Sequence, residues 1–307
     1  MKAHFEALGR EMSPGMSLAR WRDVVEHYGD VTAEPGAVDY LETQAAGLPA
    51  LWAVPKDCSP DRVLLCLHGG GFATCSRYTH RKMFAHLAKA MGVRALIPEY
   101  RRAPEHPHPA QVDDSVAVYG WLLDQGFAAG RIAFAGDSAG GGLAVTALLR
   151  ARARGLPLPA ASMPLSPWVD MEAKGRSMVT NRDRDALLGD PQMTRLLIGM
   201  FLGEDGDPRD PYANPLYADL TGLPPLYIQA GGEETLLDDA RRLAERARAA
   251  GVEARLDVVG GRQHTFQLGA GRAARADEAI RRLADWARPK VGLEADANAA
   301  SGAVASS

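Results

Sequence analysis

The chain has 307 residues, 46% of them apolar, enough for one large α/β domain or two small ones around a sizeable core. Its formal charge of -3 leaves no basic field for nucleic acid, and the arginine-rich stretches 150–154 and 241–248 fall on helical periods beside apolar partners, as solvated helix faces do. Residues 1–12 lack the apolar run of a signal peptide, nothing later reaches membrane-spanning length, and the spacing of Cys58, Cys66 and Cys75 suits neither a disulfide framework nor a zinc site, so a reducing cytoplasm is the expected home.

Residues 1–36 show no strand and helix alternation and are expected to form the N-terminal part of a cap. Val38 to Glu42 and Leu51 to Val54 predict an antiparallel hairpin at one sheet edge. Val63 to Leu67 is the first buried strand, followed by His68-Gly69-Gly70-Gly71-Phe72 and a helical period over His80 to Ala90. The alternation continues with a strand at Arg94 to Pro98, a helix at Asp113 to Asp124, a strand at Arg131 to Ala135 and a helix at Ala139 to Arg154. After a strand at Ala160 to Leu165, residues 168–215 break the pattern and contain an amphipathic stretch, Met193 to Leu202; an insertion there is expected to complete the cap. Strands at Leu226 to Ala230 and Ala254 to Val259 flank a helix at Asp238 to Ala250, and a helix at Arg272 to Arg288 closes the domain. Residues 294–307, rich in Ala, Ser and Gly, are expected to be disordered. Near-continuous apolar strands alternating with helices predict an α/β fold: a mostly parallel eight-stranded sheet covered on both faces, with core segments 37–167 and 216–293.

Two motifs carry the chemistry. His68 to Phe72 is a glycine loop able to aim bare amides at an oxyanion, and Gly136-Asp137-Ser138-Ala139-Gly140-Gly141 is a strand-to-helix turn that presents a serine hydroxyl. The serine motif alone is weak, since Ser138 also fits a helix N-cap, and the glycine motif is rarer; both in this order, each after an apolar strand, predict a serine hydrolase. A serine hydroxyl needs a base. Of eight histidines, His264 lies in the loop past the last strand, where open sheets carry catalytic groups, whereas His68 is placed to orient the glycine loop. The chain order serine, acid, histidine puts the acid after the penultimate strand, among Glu233, Glu234, Asp238 and Asp239. His106 and His108 flank a proline with no third ligand nearby, so no metal is expected, and no organic cofactor is called for.

With these residues the chain resembles the hormone-sensitive-lipase-like esterases of the α/β-hydrolase fold. The resemblance spans residues 63 to 266 and rests on His68 to Phe72, Tyr100 to Glu105, Pro107 to Asp114, Gly136 to Gly141, Tyr217 to Pro225 and Gly261 to Phe266. It implies that Glu234 is the acid, with Glu233 in reserve, and that the amides of Gly70, Gly71 and Ala139 form the oxyanion hole. It implies that Arg101 and Glu105 brace the loop beneath the site, and that edge strands or final helices pair into homodimers, as they often do in that family. Three positions depart from the family pattern: glutamate stands for the usual aspartate at 234, and Arg102 and Arg262 stand where apolar residues are common.

The expected reaction is hydrolysis of a small ester of short to medium acyl length. Phe72, Trp168, Leu187, Leu188, Phe201 and parts of the N-terminal segment are the expected pocket walls. The alternatives are an amide or N-acetyl deacetylase using the same residues, and a non-catalytic ligand-binding relative. An epoxide hydrolase or dehalogenase would need a carboxylate where Ser138 stands.

Overall fold

The computed structural model describes residues 1–11 and 15–294; the tail expected from 294 onward lies, past Glu294, outside the described residues. The strands are β1 (Val38–Ala45), β2 (Leu48–Pro55), β3 (Ser59–Leu67), β4 (Val93–Pro98), β5 (Ile132–Asp137), β6 (Ala161–Leu165), β7 (Leu226–Gly231) and β8 (Ala254–Val259). They form one 8-stranded sheet in the order β1-β2-β4-β3-β5-β6-β7-β8. β1 and β2 pair antiparallel, β2 joins β4 antiparallel, and every later pairing is parallel. The hairpin is longer than the apolar pattern predicts, because its outer strand β1 alternates exposed and half-buried side chains rather than burying both faces.

The helices are α1 (Lys2–Glu11), α2 (Leu18–Val25), α3 (Arg77–Met91), α4 (Ala110–Asp124), α5 (Ala139–Ala153), α6 (Ser177–Thr180), α7 (Pro191–Leu202), α8 (Leu237–Ala249) and α9 (Ala274–Lys290). α3 starts three residues before its apolar period because Ser76 caps it, in a capping box with Thr79, and polar first turns carry no periodicity. Strand side chains alternate between two cores. Val63, Leu65 and Phe134 pack with α4, α5 and α8 on one face, whereas Leu64, Cys66, Ala133 and Ala135 pack with α3, α9 and the N-terminal Phe5, Leu8 and Val24 on the other. A third cluster at one end of the sheet joins Leu67, Phe72, Tyr100 and Trp168 to Leu197 and Phe201 of α7. No described helix is long and apolar enough to cross a membrane.

The sheet order explains where a site can form. From β3 the chain crosses to β4 on one side, then returns past β3 to β5 on the other, so the loops after β3 and β5 leave in opposite directions and open a crevice between them. Leu67 is in register with Gly136 there, which sets the glycine loop directly beside the serine turn.

Candidate active site

Ser138 sits between β5 and α5 with φ 54° and ψ −121°, a conformation that costs a non-glycine residue about 1–3 kcal/mol. Its neighbours allow it: a Cβ on Gly140 would stand 1.9 Å from the Leu67 carbonyl oxygen, and one on Gly136 would stand 2.1 Å from that of Gly140. Backbone bonds lock the turn, since Ser138 N–H donates to Leu165 O at 2.9 Å and Ser138 O accepts from Trp168 N–H at 2.9 Å.

In the glycine loop, Gly70 and Gly71 have φ of 103° and 60°. The Gly70 carbonyl is held by Thr74, accepting from its amide at 2.9 Å and from its hydroxyl at 2.8 Å. Among the described residues the amides of Gly70, Gly71 and Ala139 donate to no protein acceptor, the condition an oxyanion site requires. His68 is placed as the loop's orienter: its Nδ1–H donates to Gly69 O at 2.8 Å, and its ring stacks on Tyr100 at 4.2 Å. Complete burial pushes its imidazole down to about 4, so it is neutral near pH 7.

His264 lies in the loop after β8 and Glu234 in the loop after β7. The loops are stitched together by Gly232 N–H to Val259 O at 2.9 Å and Glu233 N–H to Arg262 O at 3.0 Å. Glu234 Oε2 accepts from His264 Nδ1 at 3.0 Å, with both side chains buried. A carboxylate only accepts, so Nδ1 carries the proton and a neutral ring keeps its Nε2 lone pair free. Burial pushes the His264 imidazole down, but the hydrogen bond and charge of Glu234, with Asp185 and Asp137 beyond, outweigh it and hold the ring above its usual value. Burial in turn raises the Glu234 carboxyl.

The other acidic candidates face elsewhere. Glu233 accepts from Gln263 Nε2 at 3.0 Å. Asp238 accepts the Ser177 amide, and Asp239 accepts those of Val169 and Asp170, so these two hold the insertion onto α8. Burial pushes the Asp239 carboxyl up to about 7. His108 meets Asp210 at 3.2 Å, away from the crevice.

Ser138, His264, Gly70 and Gly71 line one cavity of about 50 Å³. Trp168, Leu187 and Leu188 line it too, whereas Phe72 and Phe201 are not among its lining residues and stack on each other at 3.7 Å. The N-terminal segment contributes Trp21, Val25 and Tyr28, and the insertion adds Met193 and Leu197. Sequence periodicity marked the Met193 to Leu202 helix but not which of its apolar residues turn inward; for Trp21 and Tyr28 no local signal existed. Arg22 anchors the N-terminal segment: Nε donates to Ala73 O at 2.8 Å, and two guanidinium nitrogens meet the Glu105 carboxylate at 2.7 Å each. Arg101 grips Asp114 beside it, at 2.7 Å.

A family model described as the α/β-hydrolase fold matches residues 64–268. An "Acetyl-hydrolase" of Streptomyces hygroscopicus is 45% identical over 227 residues, 74% of each chain. An "Esterase" of Acinetobacter venetianus is 33% identical over 234 residues, 76% of this chain and 77% of that one. The crystal structure of an esterase from the bacterial hormone-sensitive lipase family superposes with a TM-score of 0.91 at 42% identity, covering 95% of this chain and 97% of the other. With its serine elbow, its glycine loop and its mostly parallel sheet, the chain belongs to the α/β-hydrolase family, among the bacterial hormone-sensitive-lipase-like esterases.

Proposed function

We propose that the protein hydrolyses short-chain carboxylic esters, acetyl esters foremost, through Ser138, His264 and Glu234. The observation that carries this reading is the 3.0 Å bond from His264 Nδ1 to Glu234, made by a ring that shares a small cavity with Ser138 and with amides lacking an acceptor. His264 Nε2 takes the Ser138 proton as Oγ attacks the acyl carbon, and Glu234 holds the tautomer and stabilises the imidazolium. The amides of Gly70, Gly71 and Ala139 receive the negative oxygen; losing one such donor costs about 3 kcal/mol in the transition state. The imidazolium then protonates the departing alcohol, and water attacks the acyl-serine by the same route, releasing the acid and restoring the hydroxyl.

The cavity of about 50 Å³ supports a short acyl group, since about 10–15 Å³ on the same measure holds one water. Trp21, Leu188 and Leu197 close it with apolar surface. An N-acetyl deacetylase would use the same residues, and the name of the Streptomyces relative, an acetyl-hydrolase, keeps that second reading open. Hydrolysis of p-nitrophenyl esters from acetate to dodecanoate, beside p-nitroacetanilide, decides between them in wild type and Ser138→Ala. Activity greatest on acetate or propionate and absent from the variant is expected. Equal rates in the two proteins on every substrate refute the reading, and a preference for the anilide would make the enzyme a deacetylase.

A further inference from the structure

Asp137 ends β5 immediately before Ser138 and is completely buried, yet the chemistry above gives its carboxylate no task. Oδ1 accepts the Gly69 amide at 3.0 Å, Oδ2 accepts from His80 Nε2 at 3.1 Å, and Thr265 Oγ1 stands 3.5 Å from Oδ2. Gly69 opens the glycine loop, Thr265 follows His264, and Asp137 precedes the nucleophile, so one carboxylate touches all three functional loops. The fit with Gly69 is close: a Cβ there would lie 2.6 Å from Oδ2.

His80 is held as firmly. It is completely buried in the first turn of α3, its Nδ1 meets Thr79 Oγ1 at 2.7 Å, and its ring packs against Tyr28 at 5.3 Å and Phe84 at 6.0 Å. His80 does not line the cavity; its one hydrogen bond toward the glycine loop runs through Asp137, and its ring also packs beside Tyr28 and His68. A buried carboxylate that loses a donor must turn or draw in water. Either movement releases Gly69, and the two amides that follow it in the chain move too, where small misplacements cost heavily because an oxyanion donor works only at hydrogen-bond distance.

We propose that His80 is a positioning residue of the reaction, holding the Asp137 carboxylate in the orientation that seats the Gly69 to Gly71 loop beside Ser138. This rests on the serine-esterase reading, which p-nitrophenyl acetate hydrolysis by wild type and its loss in Ser138→Ala test separately. Three variants isolate the bond. His80→Gln places an amide donor near the position of Nε2, His80→Asn carries the same amide one methylene short, and His80→Leu fills the space with no donor.

Expected is a kcat lower by roughly 10- to 100-fold in the Asn and Leu variants, short of the loss of a whole oxyanion donor, with KM nearly unchanged. The Gln variant stays within about threefold of wild type, as the retained donor requires. Affinity for a trifluoromethyl ketone, whose adduct with Ser138 places an oxyanion on the loop amides, falls in parallel with kcat/KM. Should the Leu variant not fold, the Gln and Asn pair decides alone. Wild-type kcat and inhibitor affinity in Asn and Leu, whatever their melting temperatures, would overturn the proposal. So would an equal loss in all three variants, which would assign the effect to the ring and not to its hydrogen bond.

Discussion

Ser138 holds a backbone conformation that side chains avoid, with φ 54°, and the turn tolerates it because glycines on both sides let the chain pass within contact of Leu67 and Gly140. The same scale separates two adjacent glutamates. Glu234 faces His264, while Glu233 is occupied by Gln263. Glu234→Gln is therefore expected to lower kcat/KM by roughly 10³- to 10⁴-fold, because an amide facing Nδ1 no longer enforces the tautomer, and Glu233→Gln by less than about tenfold. Comparison of the two in steady-state kinetics checks the assignment. The pH profile adds a sign. As the proposed base, His264 acts only when neutral; burial lowers it, but the Glu234 bond and charge hold it above its usual 6.5, so kcat/KM is expected to fall as pH drops through a value above 6.5. The step belongs to the His264 and Glu234 pair. In the Glu234→Gln variant burial is opposed only by the smaller contributions of Asp185 and Asp137, and the residual activity should persist to lower pH; a limb that stays in place would give the titration to another group.

At the scale of elements, the cavity is closed by two helices far apart in sequence. α2 brings Trp21 and Val25, and α7 brings Met193 and Leu197. α7 is well specified locally, by Asp190 accepting from the Gln192 amide, Pro191 in its first turn and Gly203 at its end with φ 75°. α2 is fastened by Arg22, whose ion pair with Glu105 draws that carboxyl down to about 2. Leu197 touches the place where Gly71 would carry a side chain and lines the cavity there, where the proposed acyl group would meet it. Leu197→Ala is expected to raise the hexanoate-to-acetate ratio of kcat/KM by roughly tenfold or more, an added methylene in an apolar pocket being worth about 1–3 kcal/mol. The same change should cost about 2–5 kcal/mol of stability as a buried leucine truncation. The ester series and a denaturant titration measure both. An unchanged chain-length profile would place the limiting wall elsewhere.

For the whole molecule, the central strands bury both faces, so each contributes to two cores at once. Phe134 lies in the middle of β5, packed edge-on to Tyr119 at 5.1 Å, in the strand that ends just before Ser138. Phe134→Ala is expected to cost about 3–5 kcal/mol, measured by chemical denaturation, and a loss below about 1 kcal/mol would mean that the core repacks around the gap.

From β1 to α9 the main strand and helix order was legible in the sequence because burial on both faces leaves unbroken apolar runs while helices keep their own period, signals that neighbouring residues carry by themselves; α1, α2 and the short α6 were not. The serine elbow and the glycine loop were legible for a related reason: each is a local backbone device whose glycines are required by its own geometry. Which partners meet was not. The loop's own residues left Glu233 and Glu234 open and only the family resemblance pointed to Glu234; tertiary structure sets Glu234 against His264, and it alone decided that Trp21 and Tyr28 line the cavity while Phe72 and Phe201 do not. It also decided that His80, on α3, joins the carboxylate of Asp137 beside Ser138. Periodicity tells which face of an element is buried, but the partner on that face follows from the sheet order and the crossing of helices, and these are set by packing between segments distant in the chain.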